Sequence, residues 1–419
     1  AYQIRVASSP EALAAGEDDL WDSGKVNSPE TLHIAYDGKP LGSRQQCYWL
    51  VRSWDKDGKP SGWGEPSSWS MGLLDEVDWS ADYISYRDES PISKDTKSLF
   101  LPAARQYRKE FQAAKEVERA TVYATALGIY ELHVNGHRVG DAYFAPGWTD
   151  YTKRAYYQTY DVTSMIASGD NAIGAWVADG WYSGYVGFGL LTGMGTEKTG
   201  RFTYGKTPAM MAQLEIEYTD GSRETIATDR TWKVTGDGPI READLLMGES
   251  YDAGKEQSGW SEAGFDDSTW QQATPAYENE SVVADFYEGR DPVEPGKGPK
   301  VTGPKVTGPK VTGPKVTGRP RDLGFMRPRL EAFPGVPVRI TEELPAVSVT
   351  ERSPGTFIFD LGQNFAGVIR LKINGDPGRQ VKIRYGEMLH PDGRLMTENL
   401  RKARAQDFYT CKGDPEGEV

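Results

Sequence analysis

The stretch "AQLEIEYTDGSRETIATD" at residues 212–229 sets two runs of alternating apolar and polar residues on either side of Thr219-Asp220-Gly221-Ser222. Apolar residues at every second position place one face of an extended chain in a core and the other in water. A helical period cannot do this, and Asp-Gly between two such runs is a hairpin signal. The same chemistry recurs in "YQIRVAS", "CYWLVRSWDKDGKPSGWGEP", "ATVYATALGIYELHVNG", "NAIGAWVADGWYSGYVG" and "TWKVTGDGPI", with Asp57-Gly58 and Asn135-Gly136 as further turns. Only "SPEALAAGEDD" and "DVTSMIASG" read as helical turns, and 47 Gly with 26 Pro favour turn-rich strands over helices. The expected fold class is all-β.

A chain of 419 residues is too long for a single core and predicts several β-sandwich domains in series. Residues 1–76 read as a small fibronectin type III-like sandwich and 79–280 as a larger all-β unit. Residues 281–322 form a Pro/Gly-rich linker in which PKVTG repeats four times from Pro299 to Gly318. Its five-residue period lies far below that of packed solenoids and predicts an extended spacer. Residues 323–419 read as a second β-sandwich, including a half-buried strand over Val368–Ile373 that closes at Asn374-Gly375.

The formal charge of −13, without a long Lys/Arg run, argues against a nucleic-acid partner. No window approaches the ~20 apolar residues of a membrane helix, so no membrane partner is expected. The N-terminal "AYQIRVASS" shows no charged-then-apolar leader, and the compartment stays open between cytoplasm and export. Cys47 and Cys411 match no metal or disulfide pattern and read as free thiols.

Motifs for nucleophilic, metal-dependent or nucleotide chemistry are absent, and no pair of carboxylates stands out as catalytic. The aromatic loops are more informative. "APGWTDY" groups Trp148 and Tyr151 with Asp150, and "VADGWYSGYVGFG" groups Asp179, Trp181 and Tyr182. Sugar C–H faces lie against aromatic rings while sugar hydroxyls seek carboxylates, so rings beside Asp on loops suit a carbohydrate. The alternative is that these rings are core or edge cover. "LLMGESYDAG" adds Glu249 and Asp252, which could take hydroxyls or a calcium ion, although no D-x-D-x-D-G loop is present and no cofactor is required. Asp266 and Asp267 read as turn caps.

These residues carry a resemblance to bacterial α-L-rhamnosidases, glycoside hydrolase family seventy-eight, in their N-terminal non-catalytic β-domains. The motifs are "YELHVNGHRVGDAYFAPGWTDYTKRAYYQTYDVT", "GAWVADGWYSGYVGF", "GESYDA", "FDDSTW", "FDLGQNFAGVIRLKI" and "RYGEMLHPDGRLMTENLRKARAQDFYT". The resemblance implies a jelly roll akin to carbohydrate-binding modules over 79–280, a concanavalin-like sandwich over 323–419, and a following (α/α)6 barrel. That barrel would hold the acid and base that hydrolyse terminal α-L-rhamnosyl residues with inversion. No catalytic residue is carried onto this chain. The PKVTG array departs from the family pattern. The implied partners are a rhamnose-containing glycan or glycoside and the barrel itself; the alternatives are a stand-alone carbohydrate-binding protein or a purely structural scaffold. As motif-level binders the resemblance supports Asp179, Trp181, Glu249 and Asp252.

Overall fold

Asn135 and Gly136 both adopt positive φ, 49° and 80°, which is the backbone a two-residue type I′ hairpin requires. They join two short strands in the register His133↔Arg138 and Val134↔His137. Asp220-Gly221 likewise turns the chain between Tyr218 and Ser222. The computed structural model describes residues 1–86, 101–186, 200–276 and 328–418. The linker expected over 281–322 lies outside the described residues.

The chain divides into two compact units, Ala1–Ser80 and Ala81–Val419. In the first, β1 (Tyr2–Ala7), α1 (Pro10–Ala15), β2 (Trp21–Asp22), β3 (Gln46–Ser53) and β4 (Ser67–Ser70) build one sheet in the order β2-β1-β3-β4. Helix α1 starts at Ser9, whose side chain accepts from Ala12 N, and stops at Gly16 in the left-handed region. Its Leu13 packs on Ala7 and Leu50. Val6, Leu20 and Cys47 form a second cluster, against which Tyr36 and Leu41 pack. Those two residues come from chain without regular secondary structure, which closes this side of the cluster.

The second unit runs β5 (Ile84–Ser85), β6 (Arg105–Ala113), β7 (Val117–Leu127), β8 (Ile129–Val134), β9 (His137–Arg138), β10 (Arg154–Asp161), β11 (Gly169–Ala178), α2 (Gly180–Ser183), β12 (Ala209–Tyr218) and β13 (Arg223–Ala227). It continues with β14 (Lys233–Thr235), β15 (Ile240–Asp244), β16 (Gly248–Asp252), β17 (Gln271–Gln272), β18 (Thr274–Pro275), β19 (Arg329–Ala332), β20 (Ser348–Ser353), β21 (Thr356–Asp360), β22 (Gln380–Arg384) and β23 (Gln406–Thr410). A sheet in the order β18-β5-β12-β7-β10-β19, with β13 on β12, shares one core with a sheet in the order β17-β14-β6-β11-β8-β9. The period of two is visible in that core: Val122, Ala124 and Ala126 from one sheet, and Ile173, Ala175 and Val177 from the other, all point inward and are buried. Trp232, fully buried, fills the space between.

The chain beyond residue 328 joins sheets begun earlier. Strand β19 pairs in parallel with β10, and β23 in parallel with β16 within the order β15-β16-β23-β22. Strands β20 and β21 stand as a two-stranded sheet. Residues 368–372 take no strand and are mostly exposed, with only Ile373 bridging Glu418, so the strand expected over Val368–Ile373 does not form. Its alternation is real, but among the described residues no neighbouring strand pairs with it.

Candidate functional site

The loop between β9 and β10 is anchored at Ala145, whose carbonyl accepts from Tyr130 N, and at Asp150, whose carbonyl accepts from Lys153 and Arg154 N. This tethering lifts two rings into solvent: Phe144 is 40% and Trp148 53% exposed. Helix α2 brings the third. Trp181 lies parallel to Trp148, ring centroids 6.0 Å apart and planes within 1°, and Phe144 meets Trp181 edge-on at 6.0 Å. Separately, Tyr151, itself buried, takes Tyr182 edge-on at 5.4 Å and Tyr204 at 5.2 Å. Burial pushes the Tyr182 phenol up to about 12, so it stays neutral. The result is an aromatic platform of Phe144, Trp148 and Trp181, with Trp148 as its most exposed ring.

The acidic residues expected beside these rings serve other ends. Asp179 is 2% exposed, and its two carboxylate oxygens accept from Arg105 Nη1 at 2.9 Å and from Arg201 Nη2. It pins the start of α2, and no ligand hydroxyl can reach it, which corrects the expectation that it binds sugar. Asp150 closes its own turn by accepting from the Thr152 hydroxyl and pairing with Lys153, which hold its carboxyl below the usual carboxylate range. Asp252 accepts from Gly254 N at 3.0 Å. The Thr152 bond leaves Asp150, and the Gly254 bond leaves Asp252, as turn caps.

Glu249 sits in a different neighbourhood. Its backbone N–H donates to Asp407 Oδ1 at 2.6 Å, and Tyr385 donates to the other Asp407 oxygen. The Glu249 side chain reaches solvent but is crowded by protein. Burial, then the Asp407 and Glu131 carboxylates, push its carboxyl up to about 7. Glu131 itself is held low: burial opposes its charge, but the His133 ring and the Arg138 guanidinium outweigh that. Among the described residues no three His, Cys, Asp or Glu side chains converge on a metal-sized point. Asp252 is engaged by a backbone amide, and the Glu249 carboxyl is raised toward neutrality.

The structure therefore brings Trp148 and Trp181 together, sets Tyr182 against Tyr151, and leaves Asp150, Asp179, Glu249 and Asp252 outside the tryptophan pair. Phe144 was missed from sequence, although it lies two residues before Pro146 in the same loop. Arg105 and Arg201 were also missed, and no local signal marks them as partners of Asp179. Trp176 lies under Trp260, edge-on at 5.4 Å, as cover for the outer face of β11.

Three family models match along the chain: a Rha78A-like N-terminal immunoglobulin domain at residues 1–75, an α-L-rhamnosidase N-terminal domain at 115–292, and a bacterial α-L-rhamnosidase concanavalin-like domain at 350–419. The chain belongs to the bacterial α-L-rhamnosidase family. An α-L-rhamnosidase of Streptomyces avermitilis is 32% identical over 99% of the chain and 50% of its own length. One from an Alteromonas species is 36% identical over 98% of the chain and 38% of its own length. Among solved structures, the Streptomyces avermitilis α-L-rhamnosidase complexed with L-rhamnose superposes with a TM-score of 0.80 at 31% identity, over the whole chain and 50% of that protein. The Dictyoglomus thermophilum enzyme gives 0.75 at 33% identity, over 99% of the chain and 40% of its own. The chain thus spans half or less of these relatives and corresponds to the N-terminal, all-β part of an α-L-rhamnosidase.

Proposed function

We propose that this chain is the β-domain portion that supports the catalytic barrel of an enzyme hydrolysing terminal α-L-rhamnosyl residues, and that its Trp148–Trp181 platform binds the rhamnose-containing glycoside. The domain boundaries at 76–79 and 281–322 belong to the same proposal. The observation that carries the binding role is the exposure of Trp148, stacked on Trp181. A free ring face held rigidly at low entropic cost suits the C–H face of a deoxy sugar. A second reading, a scaffold whose rings face another part of the polypeptide, is favoured by the exposure of Phe144 in the same group.

Calorimetry with L-rhamnose separates the two. The binding reading expects saturable heat that Trp148→Ala weakens about tenfold, with the melting temperature nearly unchanged because the ring is half in solvent. Absence of heat with the unaltered chain removes the sugar and leaves the scaffold.

A further inference from the structure

At the edge where β14 meets β17, a recess of about 310 Å³ is lined by the Tyr86 ring, Thr235, Asp237, Arg241 and Gln271. It shares no residue with the tryptophan platform. Its volume lies at the small end of the roughly 300–1,000 Å³ of ligand pockets, the scale of a single sugar ring.

The chemistry of its walls is unusually complete. Arg241 Nη1 donates to Gly236 O, Asp237 Oδ1 and Gly238 O, which fixes the guanidinium while leaving Nε and Nη2 as unengaged donors. Asp237 uses Oδ1 for Arg241 and Lys255, so Oδ2 stays available as an acceptor. The Thr235 hydroxyl accepts from Asp237 N at 3.1 Å and keeps its own proton to donate. Tyr86 supplies an aromatic wall, packed over Gly236.

Two buried polar groups on β6 flank this edge. Gln106 lies across the ladder from Thr235, and Tyr107 across from Val234. Both are fully buried, and among the described residues neither the Gln106 amide nor the Tyr107 hydroxyl has a hydrogen-bond partner; neither side chain lines the recess, and Tyr107 packs in the core between the two sheets.

We propose that this recess is a subsite for one neutral pyranose residue, its ring on Tyr86 and its vicinal hydroxyls between Arg241 and Asp237. The recess suits a neutral ligand because the free Asp237 oxygen would accept from a hydroxyl and repel a carboxylate placed beside it. The assignment rests on the carbohydrate reading given above.

The test is an amide NMR titration of the full chain with methyl α-L-rhamnoside. Saturable shifts are expected at Thr235, Asp237 and Gln271, and they should persist in Trp148→Ala. Arg241→Met should abolish them. Gln271→Ala, an exposed edge position whose pairing with Val234 is through backbone, should raise Kd about tenfold while the rest of the spectrum reports an intact fold. Shifts confined to residues 144–148 and 181–182 overturn the recess and leave the platform standing. Shifts nowhere overturn both.

Discussion

Asp179 shows why a residue's type and its neighbours in sequence do not give its role. In "VADGWYSG" it reads as a loop carboxylate beside two rings, yet the fold places it between two guanidiniums, Arg105 from β6 and Arg201 from beyond the α2 turn. Arg201 is 2% exposed and lies over the rings of Tyr185 and Phe202, at 5.0 and 4.8 Å from their centroids. Removing the shared anion leaves two buried cations facing each other, and breaking a buried pair of this kind costs about 3–5 kcal/mol. Asp179→Ala is expected to lower the urea midpoint accordingly, with Asp179→Asn recovering only part because it restores hydrogen bonds but not charge. A midpoint within experimental error of the parent would show that Asp179 is not structural. The Trp148 and Trp181 loops stand out in sequence as aromatic turns, with core or edge cover as the other reading. The partners of Asp179 do not, because they lie 74 and 22 residues away.

At the scale of elements, antiparallel neighbours announced themselves. β12 and β13, or β8 and β9, pair across Asp-Gly and Asn-Gly turns whose backbone requirement is local. The parallel pairings were silent in sequence, since β16 meets β23 and β10 meets β19 only through long connections, and no turn residue encodes such a meeting. At the first of these seams Gly248 has a φ of 93°, and a side chain there would collide with the Gln406 carbonyl at 2.1 Å, so the seam depends on glycine. Beside it stands Glu249, facing Asp407 and Glu131 with Tyr385 and Tyr251 nearby. Its carboxyl is raised from 4.5 to about 7, so the folded chain holds a proton that the unfolded chain releases. That contribution to stability is complete below about pH 4.5 and is lost as pH rises through about 7. Glu249→Gln, which keeps the shape and cannot ionise, is expected to flatten this part of the profile: its gain over the parent in urea unfolding should be larger at about pH 8 than at about pH 5.5. An equal gain at both would place the proton elsewhere.

For the molecule as a whole, the distribution of exposed apolar side chains is uneven. Among the described residues most of the large ones lie between Val336 and Leu389. They include Val349 opposite Phe359 on the β20–β21 ribbon, and Phe357 on the same face. A two-stranded ribbon with an apolar face is marginal alone and prone to pairing with another chain. The sequence over 323–419 reads as a β-sandwich, and local alternation does not encode which surface would face the apolar side of this ribbon. Opposing association is the net charge of −13, whose repulsion between copies is screened as salt rises. The chain is therefore expected to bind a hydrophobic dye strongly and to sediment as larger species at high salt than at low salt. Replacing Phe357 and Phe359 with Thr keeps β-branched strand chemistry while removing two exposed rings, so dye fluorescence and the salt-dependent increase in mass should both fall. If neither changes, the sticky surface is not this ribbon but the remaining apolar positions between Val336 and Leu389.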